Sequence, residues 1–297
     1  MRQELDRAVR RLRVLPSLVE PGPRALAVRR ARKVTKRVRA VLPLLARRSA
    51  RRGGDPSRAE SGFLRLVEED LRSANRLLST TRDRDVRSAT LLELADRVRL
   101  EIVEEERAAL EQIIELARAD PSEFESERRT ADEAARLLLH ARDLLVSAEL
   151  PAIGWNSLRR RLRRDWNRIG RRVRSDLRSG CDERLHAGRK RCGRLEARLR
   201  LVEPCDPRRI GRRRALIAQV HRLIGRDRDL ALLAGWLENR ENTGGVHAPK
   251  SLKDAIMAER GRIRRRLRRR IRRMPALRRR HWSRVGRPNP NPESHQP

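Results

Sequence analysis

Apolar residues recur every three or four positions along most of the chain, and this spacing predicts α-helices. The first predicted segment, Leu5 to Leu15, is short and amphipathic. Nowhere does the sequence show the sustained alternation of apolar and polar residues that is typical of a half-buried strand. The pattern therefore predicts an all-α protein in which each helix buries one apolar stripe.

Prolines and glycines divide the helical pattern into segments. Prolines at positions 16, 21 and 23 end the first segment, and Leu150-Pro151-Ala152-Ile153-Gly154 is the predicted boundary between two halves. The third long helix is predicted to begin at Asp83 or Asp85, because aspartate suits the positive N-terminus of a helix. The predicted helices lie at about 24–52, 57–79, 83–116, 123–149, 156–179, 182–202, 207–224, 227–238 and 250–273.

These segments predict a single domain over 1–282, with a first helical half at about 22–150 and a second at about 155–282. The last helix carries its apolar residues on one thin stripe, formed by Ile263, Leu267, Ile271 and Met274. The tail, 283–297, is rich in proline and has no apolar period, so it is predicted to be disordered.

The charge of the chain changes this picture from a plain helical protein to one that needs a partner. Among 297 residues there are 75 Lys and Arg against 40 Asp and Glu, a formal net charge of +35. Self-repulsion at this charge destabilises the compact state, so we expect an anionic partner. Nearly all the cations are arginine, whose planar fork pairs with two phosphate oxygens at once. A preference for arginine codons would explain arginine over lysine, but not the excess of positive charge.

Other residue types limit the choice of partner and compartment. Two Phe, four Trp and no Tyr provide few platforms on which single-stranded bases could stack. Cys181, Cys192 and Cys205 form neither a CxxC pair nor a Cys/His zinc spacing, so no metal or other cofactor is predicted. The N-terminus lacks an apolar signal core, and no stretch approaches the ~20 apolar residues that span a bilayer. We expect a cytoplasmic protein without a membrane partner.

The first basic helix places several cations on one face. Arg29, Arg32, Lys36 and Arg39 lie at offsets 0, 3, 7 and 10, which is the spacing of one helical face. Like charges at this spacing cost a few tenths of a kcal/mol per pair. Because positions 24–54 contain no acidic residue, compensation must come from another helix or from a bound anion. A solvated face or cross-helix ion pairs would also account for the pattern.

A second basic helix repeats the arrangement later in the chain. His186, Arg189, Lys190 and Arg194 lie at offsets 0, 3, 4 and 8. A histidine one turn from two cations can donate to the same anion, and a bound phosphate would favour its protonated form.

Each basic helix is followed by an Arg-Asp-Arg-Asp stretch, at 82–85 and at 226–229. On one interpretation, Asp85 and Asp229 cap helices and pin nearby arginines through ion pairs. On the other, they orient Arg82 and Arg226 so that these arginines point into a shared cleft and bind an anion there. The two interpretations are compatible.

The repeated pair of motifs resembles the CHAD family, the conserved histidine α-helical domain. That family combines a His-x-x-Arg-x-x-x-(Arg/Lys)-(Arg/Lys)-x-Arg helix with a later Arg-Asp-x-Asp-Val or Gly-x-x-x-Asp-Leu-Ala-x-Leu element, and repeats both. The likeness covers about 24–273. The matching residues are Arg29-x-x-Arg32-x-x-x-Lys36-Arg37-x-Arg39 with Arg82-Asp83-Arg84-Asp85-Val86, and His186-x-x-Arg189-Lys190 with Gly225-Arg226-Asp227-Arg228-Asp229-Leu230.

The resemblance implies two four-helix bundles related by a pseudo-twofold axis, with a basic groove or pore between them. It also implies binding of inorganic polyphosphate and association with polyphosphate granules. The candidate binding residues are Arg29, Arg32, Lys33, Lys36, Arg37, Arg39 and Arg82 in the first half, and His186, Arg189, Lys190, Arg194 and Arg226 in the second.

The chain departs from the family pattern at several positions. Arg29 stands where the family has its first histidine, and Arg228 where it often has histidine or asparagine. Gly193 and Glu196 stand where cations are usual. Because Glu196 removes positive charge, we expect the second half to bind polyphosphate less well. Site dependence on pH should be smaller than in a version with two histidines.

No catalytic constellation accompanies the basic helices. The sequence contains no glycine-rich phosphate loop and no convincing nucleophile–base pair, and the Glu-x-Glu-x-Lys signature of the triphosphate-tunnel domain found beside many relatives is absent. We therefore expect a binding module and not an enzyme. The alternative function is sequence-nonspecific binding to the backbone of DNA or RNA, for which the arginines of 159–164 and 260–273 are the candidates.

Overall fold

The computed structural model describes residues 2–13, 21–49, 58–99, 102–118, 124–148 and 154–277. Within these ranges the secondary structure is helical and no strand is present, so the all-α prediction is confirmed. The duplication into two four-helix bundles stays a prediction, and the predicted tail lies outside the described residues. The helices are α1 (Arg2–Arg13), α2 (Pro21–Ser49), α3 (Arg58–Leu77), α4 (Ser79–Val98), α5 (Glu104–Arg118), α6 (Phe124–Ser147), α7 (Trp155–Ser179), α8 (Asp182–Val202), α9 (Pro207–Asn242) and α10 (Lys250–Arg272), with a short 3₁₀ helix at Glu203–Cys205.

One long helix at 83–116 was predicted, and this is wrong: the segment forms two helices, α4 and α5. The α4 helix begins at Ser79, so Asp83 and Asp85 lie inside it and neither begins it. The residue at the cap position is Leu78, which makes no side-chain capping bond. The break between α4 and α5 was hidden in the sequence because buried Ile102, in the connection, continues the apolar period.

Two helices at 207–224 and 227–238 were also predicted, and they are one helix, α9. The apparent stop signal was Gly225, but this residue has a helical backbone. Asp229 therefore lies in the interior of α9 and does not cap a helix. The apolar stripe runs through the glycine without interruption, with Ile224, Leu230, Leu233 and Leu237 all buried.

The chain groups into two compact units, each assembled from segments that are distant in sequence. The first unit comprises Met1–Arg39, Pro56–Glu149 and Arg226–Arg265, and the second comprises Ala40–Asp55, Leu150–Gly225 and Arg266–Pro297. Helices α2, α9 and α10 contribute residues to both units. The predicted halves at 22–150 and 155–282 stay a prediction about the duplication.

The first unit is built around α6, which packs against α1 and α3. Leu5, Leu71 and Leu138 are fully buried in this core. At its edge, the Arg142 guanidinium of α6 donates to the Asp6 carboxylate of α1, with Nη1 and Oδ1 3.0 Å apart.

Two glutamates hold the beginning of α10 within the first unit. The Lys250 amide donates to Glu106 Oε1 at 2.9 Å, and the Ala248 amide donates to Glu241 Oε1 at 2.6 Å. The nearby Ser251 hydroxyl lowers the pKa of Glu106, and the hydrogen bond from Lys253 lowers the pKa of Glu241. Both carboxylates are therefore stabilised in the charged form that accepts these bonds.

The second unit has an apolar core formed by α7, α8, the first part of α9 and the C-terminal end of α10. Its largest buried side chain is Trp166, and Leu44 of α2 joins the same core. The predicted stripe of the last helix is confirmed, since Ile263, Leu267, Ile271 and Met274 are all buried. Among the helices that the structure describes, none is long and apolar enough to cross a membrane.

Candidate polyanion-binding site

The cations of α2 do not all face the same way. Arg29, Lys33 and Lys36 are exposed, whereas Arg32 is only 7 % exposed. The Arg32 Nη1 atom donates to the backbone carbonyl of Asn75, near the end of α3, at 2.6 Å. The predicted row is therefore divided: Arg32 fastens α2 to α3, and the other three cations lie on the exposed side of α2.

Arg39 also contacts α3. Its Nη2 atom lies 3.5 Å from Glu68 Oε1, and the same oxygen accepts a bond from Arg72 Nη2 at 3.1 Å. Arg39 and the neighbouring Arg37 are half-buried. An acid on another helix thus compensates part of the like charge of α2. The sequence allowed either this source of compensation or a bound anion.

Of the two predicted Arg-Asp-Arg-Asp stretches, the first lies in the first turns of α4. The side chains of Arg82 and Asp85 lie outside the described residues. Their roles in binding and orientation stay predictions.

The second stretch places Arg226 in the first unit, which also contains the N-terminal cations of α2. Arg226 Nη2 lies 2.6 Å from Glu93 Oε2 of α4. The other oxygen of Glu93 accepts a bond from Arg97 at 2.6 Å, and Arg97 also lies 3.6 Å from Glu259. A glutamate that the sequence analysis did not single out therefore orients Arg226, while orientation by Asp229 stays a prediction.

Asp227 is the buried acid of this stretch, and sequence reasoning missed its role. Its side chain is 4 % exposed and lies against two arginines of α10. Arg264 reaches both carboxylate oxygens, with Nε 3.0 Å from Oδ1 and Nη2 3.2 Å from Oδ2, and Arg260 Nε lies 3.4 Å from Oδ1. Asp227 thus joins α9 to α10, and the two arginines that it binds are not among the exposed cations.

In the second unit, α8 presents its cations at two depths. Lys190 and Arg194 are exposed, and His186 and Arg189 are half-buried. The Arg189 guanidinium lies flat on α9: a Cβ atom at Gly225 would be 3.1 Å from Nη2 and 3.2 Å from both Cζ and Nε. A glycine inside a helix costs about 1 kcal/mol relative to alanine. Gly225 therefore serves the close approach of this guanidinium.

The same helix pair explains the two departures from the family pattern in α8. Glu196 Oε2 lies 2.9 Å from His221 Nδ1 of α9, so its carboxylate is engaged by a neighbour. A Cβ atom at Gly193 would lie 3.2 Å from both Cε1 and Nε2 of the same imidazole. Gly193 leaves room for the ring, and Glu196 binds it.

A further group of cations lies where α7 packs against α8. Burial lowers the pKa of Arg191 from its ordinary value, and so do the neighbouring charges of Arg172, Arg168 and Arg194, while Asp176 raises it. Arg168 and Arg172 of α7 are exposed and were not among the predicted site residues. Their signal in the sequence is an arginine at every fourth position from 160 to 172.

The three cysteines are free thiols. Burial in the α8 core raises the pKa of Cys192 to about 12, so this thiol is protonated and unreactive at neutral pH.

The described helices form a strongly basic all-α protein in which some cations are exposed on helix faces and others, such as Arg32 and Arg264, are bound by carbonyls or acids. The chain belongs to the CHAD domain family, since the family model for the CHAD domain matches residues 3–238. This match ends within α9, before α10 begins. Neither the curated proteins nor the solved structures contain a match to the chain.

Proposed function

We propose that this protein binds inorganic polyphosphate through the exposed cationic faces of α2 and α8. The CHAD domain family is associated with polyphosphate binding. The observation that carries the proposal is the exposure of Arg29, Lys33 and Lys36 along one side of α2, in a chain of net charge +35. Repulsion within such a row is relieved when a chain of phosphates lies along it.

The chemistry of the two faces suits phosphate oxygens. Arginine binds two of these oxygens with parallel N–H donors, and lysine adds a compact charge. In α8, Arg189 is supported by the backbone of α9, while Lys190 and Arg194 extend into solvent. Because release of condensed counterions drives such binding, affinity should fall steeply with salt.

The engagement of Glu196 changes the expectation for the second unit. Its carboxylate accepts from His221, and the α7 cations add positive charge beside Arg191. These α7 cations offset part of the negative charge that Glu196 brings to the α8 face. We propose that α8 contributes to polyphosphate binding alongside α2.

Charge reversal of exposed residues tests this proposal. Two variants, Lys33→Glu with Lys36→Glu and Lys190→Glu with Arg194→Glu, should each weaken binding of long-chain polyphosphate at least tenfold in a calorimetric titration. Because each variant neutralises two fewer phosphates, the slope of log K against log salt should fall by about 1.4. Arg32 is unsuitable for this test, since its replacement would disturb the contact with Asn75.

The matched control is Arg7→Glu with Arg10→Glu. This pair is exposed on α1 and three residues apart, as Lys33 and Lys36 are on α2. The control should retain most of the wild-type affinity. If its affinity falls as far as that of the α2 and α8 variants, net charge and not these faces governs binding, and the site assignment is wrong.

Substitution of Gly225 separates binding from stability. Gly225→Ala should raise the free energy of unfolding by up to about 1 kcal/mol through helix propensity, because the displaced Arg189 guanidinium is the end of a flexible side chain. The same change should weaken polyphosphate binding several-fold by moving Arg189. Urea denaturation and the polyphosphate titration measure the two effects.

Gly235→Ala is the control for this experiment. Gly235 lies in the same helix, and a Cβ atom there would meet nothing within 4 Å. This variant should gain stability and keep the wild-type affinity. Equal affinities for the two alanine variants would show that the position of Arg189 does not matter for binding.

We also propose that the protein acts without chemistry of its own and resides in the cytoplasm, on polyphosphate granules. The purified chain should release no orthophosphate from polyphosphate in the presence of Mg²⁺ or Mn²⁺. A fluorescent fusion should form foci in cells that contain granules and become diffuse in cells that lack polyphosphate. Diffuse fluorescence in both would contradict the granule association.

A further inference from the structure

The C-terminal part of α10 carries a face made almost entirely of arginine. Arg266, Arg268, Arg269 and Arg272 of the helix are exposed, and so is Arg273 directly after its end; we call these five residues the arginine face. The residues between them, Leu267 and Ile271, are buried in the core of the second unit, as is Met274. With 3.6 residues per turn, the four arginines within the helix occupy roughly 160° of its circumference.

The orientation of this face is held by α7 within the same unit. Arg174 Nη2 donates to the carbonyl of Met274 at 2.7 Å, and Trp166 Nε1 donates to the carbonyl of Pro275 at 3.0 Å. Asn167 bonds Leu277 twice, accepting from its amide at 2.8 Å and donating to its carbonyl at 3.1 Å. The helix therefore cannot turn about its axis without breaking these bonds.

The arginine face differs from the preceding turns of α10 in its lack of acids. Arg260 and Arg264 are bound by Asp227, and Arg262 lies 3.5 Å from Glu259. None of the five arginines of the face forms an ion pair with a carboxylate of the described residues. Several of them are three or four residues apart and repel one another, which a bound polyanion would relieve.

The width of the face indicates which polyanion fits. A linear chain of phosphates contacts one line of cations, whereas a B-form DNA duplex presents a row of phosphates on each side of a major groove that admits an α-helix. Arginines on both flanks of one helix can reach both rows. Positions 265–273 contain no aromatic residue for stacking single-stranded bases, and their apolar residues are buried and unable to enter a membrane.

We propose that the arginine face of α10 binds the phosphate backbone of duplex DNA, without reading its sequence. The face lies beyond residues 3–238, the part of the chain that matches the CHAD domain. It is distinct from the α2 and α8 faces assigned to polyphosphate. The proposal therefore gives the protein a second binding activity.

The test replaces four arginines of the face by glutamine, in Arg266→Gln, Arg269→Gln, Arg272→Gln and Arg273→Gln together. Glutamine has nearly the helix propensity of arginine, so α10 should stay folded, which circular dichroism checks. Binding of a short fluorescent DNA duplex of mixed sequence is measured by anisotropy over roughly 50 to 200 mM salt. We expect affinity to fall at least tenfold and the salt slope to be smaller by about 3.6, because the variant neutralises four fewer phosphates.

The matched control removes the same charge elsewhere, in Arg7→Gln, Arg10→Gln, Arg76→Gln and Arg136→Gln, all exposed residues of the first unit. Its affinity for the duplex and its salt slope should stay close to those of the wild type. An equal fall in affinity for the two variants would show that the general positive field binds DNA, and this would overturn the proposal.

Two further measurements distinguish this proposal from the polyphosphate proposal. The α10 variant should bind polyphosphate with the same affinity as the wild type. This expectation holds whether or not the α2 and α8 faces prove to be the polyphosphate site. Loss of polyphosphate binding with retained duplex binding would assign the face to polyphosphate instead. Binding of the wild type to anionic phospholipid vesicles, abolished in the α10 variant while duplex binding persists, would assign it to a membrane surface. Either result would overturn the assignment to nucleic acid.

Discussion

Replacement of Asp227 by alanine will lower the free energy of unfolding by about 3–5 kcal/mol, the usual cost of removing one member of a buried ion pair. The Asp227 side chain is 4 % exposed, and its two oxygens hold Arg264 and Arg260. Without the carboxylate, two partly buried guanidinium groups lose their counter-charge where water reaches them poorly. The loss is large compared with a typical total stability of about 5–15 kcal/mol.

Urea denaturation followed by circular dichroism measures this loss. Asp143→Ala is the control, since Asp143 pairs with Arg142 at 2.6 Å but its side chain is 60 % exposed. The exposed pair should contribute no more than about 1 kcal/mol. Similar losses for the two variants would contradict the view that Asp227 joins α9 to α10.

A second variant keeps the prediction testable if Asp227→Ala does not fold. Joint replacement of Asp227, Arg260 and Arg264 by apolar residues of similar size removes the whole cluster and leaves no buried charge alone. Such replacements of buried ion pairs are often neutral or stabilising. The triple variant should therefore be more stable than Asp227→Ala, although it contains more changes.

Arg198→Met will destabilise the second unit by about 3 kcal/mol, the lower end of the range for a broken buried pair, because its partner Asp165 keeps some contact with water. Arg198 Nη1 lies 2.5 Å from Asp165 Oδ2, and its Nε donates to the carbonyl of Ala40 at 2.8 Å. Methionine fills much of the same volume but leaves both acceptors without this donor.

Arg200→Met provides the comparison, since Arg200 lies two residues further along α8 and is exposed. Its replacement should change the free energy of unfolding by no more than about 0.5 kcal/mol. The denaturant midpoints of the two methionine variants measure how much stability each one loses. A loss for Arg198→Met no greater than that for Arg200→Met would show that the buried guanidinium does not stabilise the unit.

Apolar periodicity predicted most of the helices because it reports local geometry. The stripe from Ile263 to Met274 is buried as its spacing indicated. The predicted helix boundaries were wrong where a residue is compatible with both a helix end and a helix interior. Gly225 is a frequent helix terminator, but in α9 it lies inside the helix, where its missing side chain admits Arg189 from α8. That reason comes from a residue 36 positions earlier in the chain, beyond the reach of any local pattern.

The candidate site was predictable only as a set of cations. The offsets of Arg29, Arg32 and Lys36 placed them on one helix, but an offset does not say which flank meets another helix. Arg32 proved to be the residue that contacts α3, through the Asn75 carbonyl. Likewise, the sequence shows the negative charge of Glu196 but not its partner, which is the imidazole of His221.

The sequence by itself determined the all-α character, the large positive charge and the likeness to the CHAD domain, because each depends on composition or on residues a few positions apart. Only the tertiary structure decided which arginines stay exposed and which are clamped. Arg264 and Asp227 are 37 residues apart, and Arg198 and Ala40 are 158 apart. Ion pairs and hydrogen bonds act over a few ångströms, so packing alone brings such partners together and leaves the arginine face of α10 to the solvent.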